Sequence, residues 1–126
     1  MFDDQVAYHL QSLSGPDCEN ASHRLIELGP AVIPHLESAF TMAVDARMRQ
    51  AMVNIAWQTH SRLSLPLLQH ALADAHDQVW KEALDGLVAI GGPEALEIVR
   101  QARERTTGDQ RQWLEEAIQQ TAERLS

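Results

Sequence analysis

The feature that most constrains the fold is an internal repeat. When the chain is aligned with itself at intervals of 30 to 34 residues, four alanines fall at equivalent positions: Ala21, Ala51, Ala83 and Ala117. Each of them lies in a segment with helical spacing of apolar residues. Residues 21–29 also parallel residues 83–91, with apolar residues and a final glycine at equal spacing. A period of this length is typical of stacked helical units, each of which is too small to bury its apolar face alone.

The sequence pattern predicts pairs of helices. Apolar residues follow helical spacing almost throughout, whereas alternation at period two is nearly absent. Gly29 and Gly91 stand where helices end, each with a proline just beyond, and Asp45 and Asp77 stand where they can cap the next helix. The sequence therefore predicts eight helices, two per repeat, in a single all-α domain that spans residues 1–126.

The repeat has a recognisable pattern, which is clearest in residues 62–92. Residues 66–68 (Pro-Leu-Leu) are followed by residues 77–84 (Asp-Gln-Val-Trp-Lys-Glu-Ala-Leu). This arrangement resembles the HEAT-repeat family, in which a proline-containing first helix precedes a second helix that begins with aspartate. The resemblance covers nearly the whole chain, more loosely at both ends. It implies an α-α superhelix, or solenoid, of about four HEAT-like hairpins.

Charged residues at the start of the second helices are similar to a ladder that links neighbouring repeats in this family. Asp45 with Arg49, and Asp77 with Lys81, match the aspartate and the basic residue of that ladder. Two interpretations of Arg47 and Arg49 are open. They pair with acids of the next repeat, or they lie along the edge of a binding groove.

Two rows of positions on the second helices are predicted to form the core because nearly all of their residues are apolar. One row contains Cys18, Met48, Trp80 and Leu114, and the other contains Leu25, Ile55, Leu87 and Thr121.

The mixed, mostly polar positions of the second helices are the candidate binding site. The HEAT resemblance implies that they line the inner, concave surface, and the predicted protein-binding residues are Asn20, His23, Glu27, Gln50, Val53, Trp57, Glu82, Asp85 and Glu116. Val53 and Trp57 would form an apolar island on an acidic groove, and an exposed tryptophan there is typical of an interface hot spot. The alternative is that Trp57 packs under the loop 59–62.

The charge of the chain limits the kind of partner. A formal net charge of −8 opposes binding to DNA or RNA, whose affinity depends largely on lysine and arginine contacts with phosphates. The same acidity either steers a basic protein partner or serves only solubility. No apolar stretch approaches the ~20 residues needed to cross a bilayer, and the acidic residues 1–5 do not resemble a secretory signal. We therefore expect a cytoplasmic protein without a membrane interaction.

Residues suited to catalysis or to metal binding are scattered. The single cysteine, Cys18, excludes an internal disulfide and is expected to be a buried apolar residue. None of the six histidines precedes a glutamate, so the common His-Glu metal motifs are missing. His70, Asp74 and His76 are close in sequence, but they would supply too few ligands for a metal site. The sequence predicts no catalytic residue, metal or cofactor.

Three functional hypotheses follow. The first is a non-catalytic interaction module, an adaptor or scaffold that binds a partner protein on its acidic concave face, and a basic partner is the narrower expectation. The second is a dedicated inhibitor, such as an immunity protein that neutralises a toxin. The third is a lyase-like enzyme accessory subunit, which would need a ligand pocket between helices. Polar end helices favour a monomer.

Overall fold

The computed structural model describes residues 1–125, so Ser126, the last residue of the predicted domain, lies outside the described residues. The helices are α1 (Phe2–Ser12), α2 (Cys18–Leu28), α3 (Ile33–Met42), α4 (Ala46–Gln58), α5 (Leu65–Leu72), α6 (Asp77–Ile90), α7 (Gly92–Glu104) and α8 (Asp109–Leu125). Short 3₁₀ turns at Pro30–Val32 and Arg62–Ser64 lead into α3 and α5. The described chain contains these eight α-helices and no strand, which confirms the predicted class and helix number.

The helices pair into four hairpins that stack in chain order. Each hairpin has a first helix (α1, α3, α5 or α7) and a second helix (α2, α4, α6 or α8). The second helices contact one another in succession, α2 with α4, α4 with α6 and α6 with α8, and α5 contacts α7. This stacking is the arrangement of a helical solenoid, as predicted. None of the helices in residues 1–125 combines the length and the apolar character needed to cross a bilayer.

Local signals in the sequence set the helix ends. Gly29 and Gly91 follow α2 and α6 with φ angles of 84° and 66°, a region that side-chain-bearing residues rarely adopt. In both cases a proline stands in the first turn of the next helical segment. The carboxylate of Asp45 accepts a hydrogen bond of 2.9 Å from the backbone N–H of Arg47, so the predicted cap of α4 is confirmed.

The predicted core rows are mostly buried. One row is buried along its whole length: Leu25, Ile55, Leu87 and Thr121. In the other row, Trp80 and Leu114 are buried, Met48 is half-buried and Cys18 is exposed. The prediction that Cys18 belongs to the core is wrong. It is the first residue of α2, and α4 packs less extensively on α2 than on α6, which leaves that end of α2 uncovered.

Arg49 links the second hairpin to the third. Its guanidinium donates to the Asp74 carboxylate, with distances of 2.8 Å from Nε to Oδ2 and 3.3 Å from Nη2 to Oδ1, and to the carbonyl of Ala43 at 3.0 Å. Asp74 lies in the turn before α6, where it also accepts a hydrogen bond of 3.0 Å from the backbone N–H of His76. Arg49 therefore pairs with an acid of the next repeat.

The two aspartates predicted for the ladder have other roles. Asp45 caps α4. Asp77 is the first residue of α6, not its cap, and it accepts a hydrogen bond of 3.1 Å from Nε1 of Trp80. Lys81 lies over the ring of Trp113 on α8, with Nζ 4.5 Å from the ring centroid. The third and fourth hairpins are therefore linked by a cation–π contact in place of an ion pair.

The Arg49–Asp74 pair is well shielded from water, and this affects the protonation of Asp74. The side chains of Arg49 and Asp74 are only 13% and 10% exposed. Burial alone would raise the pKa of Asp74, but the hydrogen bonds from Arg49 and from the His76 N–H, together with the Arg49 charge, hold it below its ordinary value. The ionised carboxylate therefore stabilises the folded chain.

This pair predicts an acid-labile part of the stability. Because the pKa of Asp74 is lower in the folded chain, its contribution is complete above the ordinary aspartate pKa of about 4 and is lost as the pH falls through the folded value. We expect the free energy of unfolding in urea to fall more steeply below about pH 4 in the wild type than in Asp74→Asn. Asp4→Asn, at an exposed position, should follow the wild type. Parallel curves for wild type and Asp74→Asn would contradict the assignment.

Candidate protein-binding surface

The predicted binding residues lie on α2, α4, α6 and α8, and we call the surface of these four helices the second-helix face. The residues differ widely in exposure. Five are exposed: Asn20, His23, Glu27, Asp85 and Glu116. Three are half-buried: Gln50, Trp57 and Glu82. Val53 is fully buried.

Trp57 is not an exposed hot spot. Its indole Nε1 donates a hydrogen bond of 2.8 Å to Oε2 of Glu82 on α6. Its ring packs on Gly86 of α6, where an added Cβ would come within 2.7 Å of Cδ1 of Trp57. Trp57 is therefore a packing residue, but its indole packs on α6 and not, as the alternative stated, under the loop 59–62.

Glu82 joins α4 to α6 through three hydrogen bonds. Its carboxylate accepts from Nε2 of Gln50 at 3.4 Å, from Nδ2 of Asn54 at 3.1 Å and from Nε1 of Trp57 at 2.8 Å. The three donors are spaced at i, i+4 and i+7, so they share one face of α4. Asn54 was missed in the sequence, although its spacing from Gln50 and Trp57 was the available signal.

The prediction that Val53 is exposed is wrong, since its side chain is 0% exposed. Val53 lies one turn from both Gln50 and Trp57 on α4, on the same face of the helix. Val53 belongs to the apolar core, and Trp57 packs against that core while it reaches across to Glu82. The apolar island predicted from Val53 and Trp57 therefore belongs to the contact between two hairpins.

Two carboxylates on α6 lie beside this contact without a cationic partner. Glu82 accepts only from neutral donors, and neither Glu82 nor Asp85 forms an ion pair within residues 1–125. Partial burial and the charge of Glu82 raise the pKa of Asp85 above its usual range. The middle of the second-helix face therefore carries uncompensated negative charge.

A groove opens between α2 and α4, next to Glu82. The α2–α4 groove has a volume of about 870 Å³, and its wall includes Cys18, Ser22 and Ile26 of α2 and Met48, Ala51 and Gln58 of α4. His23, Gln50 and Glu82 of the predicted site also line it. A second groove of about 510 Å³ lies between α5 and α7, and it contains none of the predicted residues. The predicted site is therefore associated with the α2–α4 groove.

The groove exists because α2 lacks the side-chain links that hold α4 to α6. At the register of Arg49, α2 carries Glu19, which forms no ion pair within the described chain. Asn20 donates within its own turn to Asp17, at 3.1 Å. Arg24 and Glu27, one and two turns further on, pair with each other at 3.6 Å. Asn20, Arg24 and Glu27 therefore bond locally, and none of them has a bond to α4 within the described residues.

The described residues do not assemble a metal site. Residues 1–125 contain no group of three His, Cys, Asp or Glu side chains that could hold a metal ion. His70 and Asp74, which are close in sequence, have separate partners. The ring of His70 packs edge-on against Phe40, at 5.2 Å between centroids, and Asp74 is bound by Arg49.

Residues 33–119 match the family model of HEAT repeats. The chain belongs to the HEAT-repeat family. HEAT repeats generally mediate protein–protein interactions and are typically non-catalytic. The match begins at the start of α3, so the first hairpin, which forms one wall of the groove, lies outside it. Comparison with curated proteins and with solved structures gave no significant match.

The contact of Trp57 with Gly86 predicts an unusual coupling between two substitutions. Alanine normally stabilises a helix interior by ~1 kcal/mol relative to glycine. In this HEAT repeat, Gly86→Ala should instead lower the free energy of unfolding by about 1–2 kcal/mol, because the new methyl group displaces the indole. In a Trp57→Ala background the same substitution should be neutral or stabilising.

Urea unfolding of the four chains (wild type, both single variants and the double variant) measures this coupling as a double-mutant cycle. If Gly86→Ala has the same sign and size of effect in both backgrounds, then Trp57 does not pack on Gly86.

Proposed function

We propose that this HEAT-repeat protein is a non-catalytic interaction module, an adaptor or scaffold, that binds a partner protein on its second-helix face. The observation that carries the proposal is the α2–α4 groove, whose lining includes Glu82, a carboxylate that forms no ion pair within residues 1–125. A volume of about 870 Å³ is large enough to receive several side chains of a partner.

The charge of this face favours a basic partner. The chain has a net charge of −8, and neither Glu82 nor Asp85, near the centre of the second-helix face, forms an ion pair within residues 1–125. A cationic partner would be attracted during encounter and would relieve the repulsion between the two carboxylates. An inhibitor of a basic enzyme, the second hypothesis, would use the same surface. The third hypothesis, an enzyme accessory subunit, would need a ligand pocket between helices. The α2–α4 groove lies between two helices and is compatible with that need.

We propose in addition that the protein is a monomer in the cytoplasm. Most exposed side chains of α8 are polar, including Gln112, Gln119 and Gln120 and the ion pair between Arg111 and Glu115, and its exposed large apolar residues are Trp113 and Leu125. A polar end helix of this kind limits further stacking. The exposed, free Cys18 suits a reducing compartment.

Site-specific photo-crosslinking in the native cell tests the binding surface. Benzoylphenylalanine replaces His23 or Asp85 on the second-helix face, or Arg100 on α7 as the control, and all three positions are exposed. We expect the first two positions to form an adduct with the same partner protein, and Arg100 to form none. Adducts from Arg100 alone, equal adducts from all three positions, or no adduct at any position would contradict the proposal.

A further inference from the structure

The α2–α4 groove has the shape of a trough. On α4 its wall runs from Arg47 to Gln58, which at 1.5 Å per residue is ~16 Å, and on α2 it runs from Cys18 to Ile26, or ~12 Å. A trough of ~16 Å accommodates about five residues of extended chain, or about three turns of helix. These dimensions favour a segment of polypeptide.

Apolar side chains are spread along the trough. Ile26 and Met48 are half-buried large apolar residues on facing helices, and Ala51 lies between them in register. Cys18 adds an exposed thiol at one end. Burial of such a surface by an apolar side chain of the occupant is favourable because apolar area is removed from water. The occupant therefore needs at least one large apolar side chain.

The rim of the trough is predominantly negative. Its charged residues are three carboxylates, Glu19, Asp45 and Glu82, and one guanidinium, Arg47, in addition to His23. None of the three carboxylates forms an ion pair within residues 1–125. Glu19 and Asp45 lie near the start of α2 and α4, whereas Glu82 reaches the trough from α6. Cationic side chains that flank an apolar anchor would therefore meet carboxylates on the rim.

We propose that the α2–α4 groove binds a short segment of a partner protein in which one or two large apolar side chains are flanked by lysine or arginine. The apolar side chains cover Ile26 and Met48, and the flanking cations pair with the rim carboxylates Glu19, Asp45 and Glu82. The segment thereby makes the link between the first and second hairpins that the chain itself lacks. This inference rests on the proposed function and names the chemistry of its partner.

Three synthetic peptides of about ten residues, enough to span the trough with a margin, test the inference by fluorescence anisotropy. The first has two leucines flanked by lysines in a glycine–serine background. The second replaces each lysine with glutamate, and the third replaces each leucine with serine. At an ionic strength near 0.15 M, which screens general attraction between exposed charges, we expect only the first peptide to bind.

Two groove variants and one matched control localise the binding. Cys18→Trp fills the exposed end of the trough, and Glu19→Lys reverses a rim charge. Glu104→Lys makes the same charge change at an exposed position of α7, outside the groove. We expect each groove variant to weaken binding of the first peptide at least about tenfold, or ~1.4 kcal/mol, while Glu104→Lys leaves it within about twofold.

Equal binding of the peptide that lacks leucine, binding of the acidic peptide, or wild-type affinity in both groove variants would overturn the inference. Absence of binding to all three peptides would also overturn it. In any of these cases the adducts at His23 and Asp85 decide separately whether the second-helix face binds a protein, so the two proposals fail on different measurements. Circular dichroism of each variant shows whether it retains the helical fold.

Discussion

The contact between α4 and α6 sets the geometry of the stack. Near the start of α4, Arg49 pairs with Asp74 in the turn before α6, and near the end of α4 the Trp57 indole lies against Gly86 and donates to Glu82. The two attachments are eight residues apart along α4, or ~12 Å. Contacts at both ends of α4 therefore link the second hairpin to the third.

The first hairpin lacks the side-chain links that join the second hairpin to the third, and the candidate binding surface lies where those links are missing. Glu19 occupies the register of Arg49, and the polar side chains of α2 that have partners bond within their own helix or turn. The second hairpin therefore has no side-chain link to α2 that matches its links to α6, and the space between α2 and α4 stays open. We propose that a partner protein completes the contact between α2 and α4 that the chain itself does not make.

The periodicity predicted the helices and the fully buried core row correctly, because spacing along a helix is a local property. Exposure of the second-helix face depended on contacts between helices, which the repeat register does not describe. His23, Val53 and Asp85 share one register position, yet only Val53 is buried, since it belongs to the apolar core against which Trp57 packs.

Some of these contacts left a trace in the sequence. Gly86 stands in the interior of α6, where glycine disfavours a helix, and this was a signal of close approach by another group. No sequence pattern indicated that Asp74 is the partner of Arg49. Its role depends on the turn before α6, which brings residues 25 positions apart into contact.

The central claim is that the second and third hairpins form a linked unit to which the first is attached more weakly. Native-state hydrogen exchange of backbone amides measures this most directly, because it reports the free energy of opening for each helix separately. The account predicts that the amides of α2 exchange through openings of lower free energy than those of α4 and α6. Equal opening free energies in the three helices, or greater protection in α2, would contradict it.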